Sequence, residues 1–435
     1  MTEITVGELL MQSLQAEGID LIAGIIDGAH IPFVVHAERY GVRYVNAHHE
    51  EAAVHIAEGY TRLAHRPAAA LGNPGPGGAN LIAGLSSAQG EGHPVIGIAC
   101  TRRSAVNNPA RDGAWQGTDL VAMAQPVTKY SALISRPERA RPPEMVRAAV
   151  RAATSGRPGP AFLAIPDELL PQKIDASKLR LTPAANNRVL NVGAGDPALI
   201  RQAAELLAAS QRPFIYAGKG VLWAGASAEL MALGDHLAAG MGNSVGARGV
   251  VPEDHPHYFH IFDMQAGMMA RNAADVVLVV GARLGEYDGW GMPPAWGDPG
   301  RQKTIQIDVD PLSIGLNRPV DVAIVADARA ALAALLAAVQ ANTPARGEMS
   351  DLARYRELSA ATLQGGMAYM TASSGRGVNP GQMVMVVNQF FGEDAVTVLD
   401  GGNTVLWGVA FNPILRPDSF LYSVQMGYLG TGLPM

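Results

Sequence analysis

Short β-rich runs alternate with longer helical stretches from one end of the chain to the other, and nothing else in the sequence restricts the fold as strongly. Strand-like runs fall at Leu21–Ile26, Val42–Asn46, Ala68–Leu71, Val95–Ala99 and Ala161–Ile165, with amphipathic helices such as Glu51–Ala64 and Pro143–Thr154 between them. A strand that crosses to a parallel neighbour needs a long connection, usually a helix, so this pattern predicts parallel sheets with helices on both faces. The pattern resumes at Phe214–Ala217, Val276–Val280, Thr304–Asp308 and Val322–Val325. It closes with an alanine-rich helix over Ala328–Val339, which Asp327 is placed to cap. A third unit opens with a helix at Pro380–Phe391, a strand at Ala395–Leu399, a Gly-Gly turn, another helix and a strand at Phe420–Val424. The proline-dotted stretch from Pro166 to Asn191 and the stretch from about Gln340 to Gly377 read as linkers. The expected fold is therefore α/β, with three doubly wound parallel-sheet domains at 1–170, 190–340 and 378–435. The third, of roughly 60 residues, is too small to close a sheet of its own and is expected to be incomplete.

Composition narrows the function classes. A chain of 435 residues is too long for one core. With 48% hydrophobic residues, 17% charged residues and a net charge of −6, it is neither disordered nor basic enough to suggest nucleic acid or an anionic membrane as partner. The single cysteine, Cys100, cannot form an intramolecular disulfide and excludes paired-cysteine metal spacings. It ends the apolar run Pro94–Ala99 and reads as a buried strand residue. No basic-then-apolar leader opens the chain, and alanine-rich runs such as Ala330–Val339 fall short of the ~20 residues a membrane span requires. The expectation is a soluble, cytoplasmic protein acting on a small molecule.

Two dense motifs lie where a parallel sheet builds its sites, just after strands. The first is His48-His49-Glu50-Glu51-Ala52-Ala53-Val54-His55-Ile56-Ala57-Glu58-Gly59-Tyr60, and the second is Gly72-Asn73-Pro74-Gly75-Pro76-Gly77-Gly78-Ala79-Asn80. A metal site from His48, His49, Glu50 and His55 is one reading of the first, but zincin histidines lie four apart on one helix face, and His49 and His55 are six apart. A helix start with acidic residues near its dipole and a solvated face is another, and it suffices for Glu51 and Glu58. For Glu50 it stays open against a functional role. Further along, Gly218-Lys219-Gly220 follows a strand, a weak nucleotide signal that strand–helix packing explains equally well. Asp400-Gly401-Gly402-Asn403-Thr404-Val405-Leu406-Trp407 also follows a strand, and its backbone N–H groups, feeding a helix N-terminus, suit a diphosphate.

As an ordered set these motifs resemble the acetolactate-synthase-like family of thiamine-diphosphate enzymes, which includes 2-hydroxyacyl-CoA lyases and oxalyl-CoA decarboxylases. His49-Glu50-Glu51-Ala52-Ala53 is similar to the family's His-Glu-Gln helix start, and Asn73-Pro74-Gly75-Pro76-Gly77 to its Ser-Gly-Pro-Gly turn. Gly113-Ala114-Trp115-Gln116 resembles its Gly-Ala-Phe-Gln loop. Gly281-Ala282-Arg283-Leu284 and Ile307-Asp308-Val309-Asp310-Pro311, with the 218–220 turn, resemble a middle domain that holds FAD or ADP in some members and nothing in others. Gln425 to Pro434 is similar to the loop that grips the aminopyrimidine. The resemblance covers essentially the whole chain.

By that resemblance, Glu50 and Gln116 are the catalytic residues: Glu50 hydrogen-bonds the aminopyrimidine ring, and Gln116 sits by the reacting carbonyl. Pro74, Gly75, Gly427 and Leu429 complete the pyrimidine side, with Leu429 the bulky residue that bends the cofactor. Gly402, Asn403 and Thr404 form part of the diphosphate seat. The family's Mg2+ ligands are expected beyond residue 435, so no metal ligand is assigned within the chain. A homodimer or homotetramer is implied. The activity implied is making or breaking carbon–carbon bonds in 2-keto acids or 2-hydroxyacyl-CoA substrates, and the alternative is a non-catalytic relative that binds nucleotide or assembles with a partner. Two departures bear on this. Gly24-Ile25-Ile26-Asp27-Gly28 lacks the family's turn proline, and Arg283-Leu284-Gly285-Glu286-Tyr287-Asp288 stands where acetolactate synthases carry Arg-Phe-Asp-Asp-Arg, which leans away from acetolactate synthesis and from FAD. The Gly113-Ala114-Trp115-Gln116 loop and the Asp400-Gly401-Gly402-Asn403-Thr404 turn lean towards the acyl-CoA enzymes.

Overall fold

The computed structural model describes residues 3–107, 111–135, 141–189, 192–261, 263, 265–347, 350–372, 375, 377–392 and 394–435. Two compact units emerge: 1–190 together with 423–435, and 191–422.

The first unit is built on a six-stranded parallel sheet. Its strands are β2 (Leu21–Gly24), β3 (Arg43–Asn46), β4 (Ala68–Gly72), β5 (Val95–Thr101), β6 (Tyr130–Leu133) and β7 (Ala161–Pro166), in the order β3-β2-β4-β5-β7-β6. Alternation along β4 shows how the two faces are filled. Ala69 and Leu71 join the core formed with helices α1 (Val6–Ala16) and α4 (Arg141–Thr154). Ala68 and Ala70 face the opposite way, towards α2 (Glu50–Ala64) and α3 (Pro76–Glu91). The period-2 geometry of a strand makes one short run serve both layers. Cys100 lies in β5 with no exposed surface, and burial pushes its thiol well above the usual range.

The second unit repeats the plan with five parallel strands: β9 (Pro213–Ala217), β10 (Gly240–Asn243), β11 (Val276–Val280), β12 (Lys303–Asp308) and β13 (Val322–Val325), ordered β10-β9-β11-β12-β13. Helices α5 (Pro197–Ala209), α6 (Ser227–Leu237) and α7 (Ala328–Asn342) cover one face. Asp327 caps α7 by accepting the Ala330 N–H at 3.0 Å. Both sheets are wound in the α/β manner the alternation predicts.

Where the structure departs from the sequence reading, contacts between segments distant in the chain are the cause. The stretch taken as a linker between Gln340 and Gly377 contains helix α8 (Ser350–Met370), pinned by Leu352, which is buried against Phe214 and Phe259 in the second unit's core. The linker beginning at Pro166 contains β8 (Lys173–Asp175), paired antiparallel with β1 (Glu3–Thr5). Strand β10, Gly-Met-Gly-Asn, has little β propensity. Gly240 is needed because the Phe214 ring occupies the neighbouring space: a Cβ there would lie 2.8 Å from it. In the stretch expected to open a third domain, α9 (Pro380–Phe391), β14 (Thr397–Val398), α10 (Asn403–Phe411) and β15 (Phe420–Leu421) group with the second unit, whereas 423–435 group with the first. The strands β14 and β15 pair in parallel but are two residues each. No helix among the described residues is long and apolar enough to cross a membrane.

Candidate active site

The strand order of the first sheet sets β3, β2, β4 and β5 side by side, so the segments leaving their carboxyl ends meet at one edge. Glu50 opens α2 directly after β3. His49 caps this helix in extended conformation, its Nδ1 accepting the Glu51 N–H at 3.2 Å. The Glu50 carboxylate is 6% exposed, and its Oε2 accepts from Asn80 Nδ2 at 3.1 Å. Its other oxygen lies over the turn after β4: a Cβ added to Gly77 would stand 2.6 Å from Oε1. That turn needs its glycines. Gly75, at φ 71° and ψ −109°, is the N-cap of α3 and precedes Pro76 at the helix's first position. A Cβ on Gly75 would lie 2.9 Å from Gln116 Cβ, so the 113–117 loop closes on the same turn. Gln116 itself has φ 57°, a conformation uncommon outside glycine. Beside it, Trp115 stacks on the Arg102 guanidinium, 5.0 Å from the ring centre. Asn73 Oδ1 is buried with no hydrogen-bond partner among the described residues.

Gly75→Ala is expected to lower unfolding stability by about 1–3 kcal/mol, because the new Cβ meets both a disallowed φ and the Gln116 backbone. Urea titration measures this. A variant as stable as the parent would mean that the 73–77 turn relaxes without cost.

Thus Glu50, Pro74, Gly75 and Gln116 converge in the first unit. Gly402, Asn403 and Thr404 belong to the second, at the start of α10. Gly402 has φ 71°, no side chain caps the helix, and all three residues are exposed, so the first N–H groups of α10 are open to an anion. Gly427, at φ 59°, and Leu429, 72% exposed, lie in the 423–435 segment of the first unit. Asn80 and Asn73 are functional candidates that the motif alone does not single out. The signal that could have singled out Asn80 is its place one turn into the helix that follows the Gly/Pro turn.

Glu58 does not lie on the solvated helix face that the sequence predicts for it: it has no exposed surface. Its Oε2 pairs with His55 Nδ1 at 2.7 Å, and its Oε1 accepts from His93 Nδ1 at 3.0 Å and Ser87 Oγ at 3.2 Å. Those donors let the charge sit in the α2–α3 interface. His49 and His55 are thereby engaged in capping and pairing. In the second unit, Asp235, His255 and His257 bring three potential metal donors within 4.8 Å of one another. However, His255 Nδ1 accepts the His257 N–H at 3.1 Å, so in the neutral ring Nε2 carries the proton and points it at Asp235, 3.3 Å away. The trio reads as a hydrogen-bonded cluster.

The middle-domain glycines also have an internal explanation. A Cβ on Gly220 would lie 2.7 Å from Gly281 Cα, so the turn after β9 packs against the turn after β11. Asp308, ending β12, is pushed up to about 6 by burial.

Two family models and several relatives match the chain. Residues 4–123 match the thiamine pyrophosphate enzyme N-terminal TPP binding domain, and residues 200–335 match the thiamine pyrophosphate enzyme central domain. The probable acetolactate synthase large subunit of Methanocaldococcus jannaschii is 30% identical over 445 residues, covering 98% of this chain and 72% of that protein. An acetolactate synthase of Mycobacterium bovis is 27% identical over 453 residues, covering 100% of this chain and 69% of that protein. One from Arthrospira platensis is 32% identical over 344 residues, covering 75% and 57% respectively. The chain belongs to the thiamine-diphosphate-dependent enzymes, within their acetolactate-synthase-like family.

Proposed function

We propose that this enzyme forms or breaks the carbon–carbon bond beside the carbonyl of a 2-keto acid, with Glu50 as the residue that works on the cofactor. The observation that carries this reading is the buried Glu50 carboxylate, fixed through Oε2 by Asn80, with Oε1 over a glycine. The site fits an aminopyrimidine. A carboxyl oxygen lies over Gly77, where a glycine leaves no side chain in its way, and the Asn73 acceptor beside it lacks a partner among the described residues.

Glu50 Oε1 would hold or exchange a proton with a ring nitrogen, while Asn80 keeps the carboxyl from rotating away. Pro74 and Gly75 would line the ring, and Gln116 would hydrogen-bond the substrate oxygen. Gly402, Asn403 and Thr404 would receive the diphosphate through backbone N–H groups, together with Mg2+. Gly427 and Leu429 would meet the pyrimidine and thiazolium from the other side. Thiamine diphosphate, when bound, supplies a carbon acid that adds to carbonyls and takes up the electrons left by a departing carboxylate or carbon fragment. Assembly as a homodimer or homotetramer is part of the proposal, with the stretch from 378 onward as diphosphate-binding domain.

Named relatives favour 2-keto acid condensation, whereas the Gly113–Gln116 loop and the Asp400–Thr404 turn lean towards acyl-CoA substrates, so the test carries both. The protein is supplied with thiamine diphosphate, Mg2+ and, in turn, pyruvate, 2-ketobutyrate and a panel of 2-hydroxyacyl-CoA thioesters. Products are followed by NMR and CO2 release. Cofactor-dependent decarboxylation and condensation of a 2-keto acid is expected, and turnover of acyl-CoA substrates alone would replace the reading. Sedimentation should show a dimer or tetramer, and an active monomer would refute that part.

A further inference from the structure

Segment 423–435 is anchored along the α2–α3 surface by partners that the reading above leaves without a role. Ser423 is fully buried, and its Oγ lies 3.1 Å from Ser87 Oγ, which itself donates to Glu58. The Gln425 N–H donates to Glu91 Oε1 at 2.5 Å, and Glu91 is 3% exposed. The closeness of this approach depends on Gly90, whose added Cβ would lie 3.1 Å from Gln425 Cβ. The Tyr428 hydroxyl reaches Ala83 O at 2.7 Å and Ser86 Oγ at 2.8 Å, while its ring meets the His55 ring edge-on at 5.4 Å. Thr431 is again fully buried. Between these anchors the chain turns outward. Met426 is 50% exposed and Leu429 72%, and Gly427 and Gly430 take the left-handed conformations that the turns require. Buried polar anchors thus alternate with protruding apolar side chains.

We infer that Ser87, Glu91 and Tyr428, backed by the Glu58–His55–His93 cluster, are positioning residues that fix the loop bearing Gly427 and Leu429 for the cofactor. This rests on the proposed function, since it takes those two residues as cofactor contacts. A leucine left 72% exposed carries a hydration cost that packing inward would remove, and anchors on both sides prevent that collapse. Helix α2 then serves two purposes: Glu50 at its start faces the pyrimidine turn, and His55 and Glu58, further along, brace the loop. None of these positioning residues needs to touch the cofactor.

The test uses Tyr428→Phe and Ser87→Ala in the full protein. Each removes one hydroxyl and leaves the bulk of the side chain in place. Amide hydrogen exchange of 425–430 in the cofactor-free protein should quicken about 10-fold, the size expected for one net hydrogen bond. Thiamine diphosphate binding, measured by titration calorimetry, should weaken about 10-fold in both. The urea midpoint of unfolding should stay close to the parent's in Tyr428→Phe and fall in Ser87→Ala, which also loses a donor to the buried Glu58. Unchanged cofactor affinity in either variant, whatever its stability, would mark a merely structural contact and overturn the inference. So would faster loop exchange without loss of affinity. Parent-like behaviour of both variants, with parent binding intact, would overturn this inference alone. A parent protein that binds no thiamine diphosphate would overturn the proposed function along with it.

Discussion

Glu50→Gln is expected to lower turnover by about 10²–10⁴-fold, the usual range for loss of an acid–base group, with little change in stability. The substitution is nearly isosteric, and Asn80 Nδ2 can donate to the amide oxygen as it does now to Oε2. That contact directs the new NH2 towards the place of Oε1, over Gly77. An amide there can donate a hydrogen bond but cannot take up and return a proton, so positioning survives and chemistry does not. Glu51→Gln is the control. Its backbone N–H satisfies the His49 cap, and its side chain is only half-buried on the outer side of the helix start. Steady-state rates on the substrate identified by the screen, with unfolding curves alongside, make the comparison. Equal losses from both substitutions, or none from Glu50→Gln, would sink the assignment of Glu50.

What the sequence made legible follows physical rules that act locally. Val276–Val280 is a run of β-branched and aliphatic residues with no alternative use, and the strand occupies those five residues. Pro380 at a helix start and Gly392 just beyond its end bracket α9 at the expected residues. The convergence at the sheet edge was readable because a Gly/Pro turn after a parallel strand has nowhere else to emerge. What escaped was decided by partners distant in sequence. The Gly240–Asn243 strand depends on a Phe214 ring 26 positions earlier, a relation that no local propensity records. Glu58 sits one turn beyond His55 on a helix with many polar residues, and periodicity alone allows it to be outside. Its burial is made possible by His93, from the end of another helix, and by Ser87. The anchoring of 423–435 is invisible for the same reason, since Ser87 and Ser423 are 336 positions apart.

Glu58 also gives the largest expected effect on stability. Removing it in Glu58→Ala leaves two histidines and a serine hydroxyl in the α2–α3 interface without their shared acceptor, and loss of one partner of a buried charged pair costs about 3–5 kcal/mol. The pH dependence has a definite sign. Burial pushes the Glu58 carboxyl up, but hydrogen bonds and charge from His55 and His93 outweigh it and hold the group below its ordinary 4.5. A carboxyl lowered on folding contributes stability that is fully present above 4.5 and is lost as pH falls through its folded value. The parent should therefore lose more stability than Glu58→Gln as pH falls from about 5 towards 3, and the two curves should converge in acid. Glu58→Gln keeps the size of the side chain, so the difference between them isolates the charge from the cavity left by alanine. Urea unfolding at closely spaced pH values tests this. Parallel curves for parent and Glu58→Gln across that window would mean that the cluster is held by shape and hydrogen bonding, and that its charge contributes nothing to the fold.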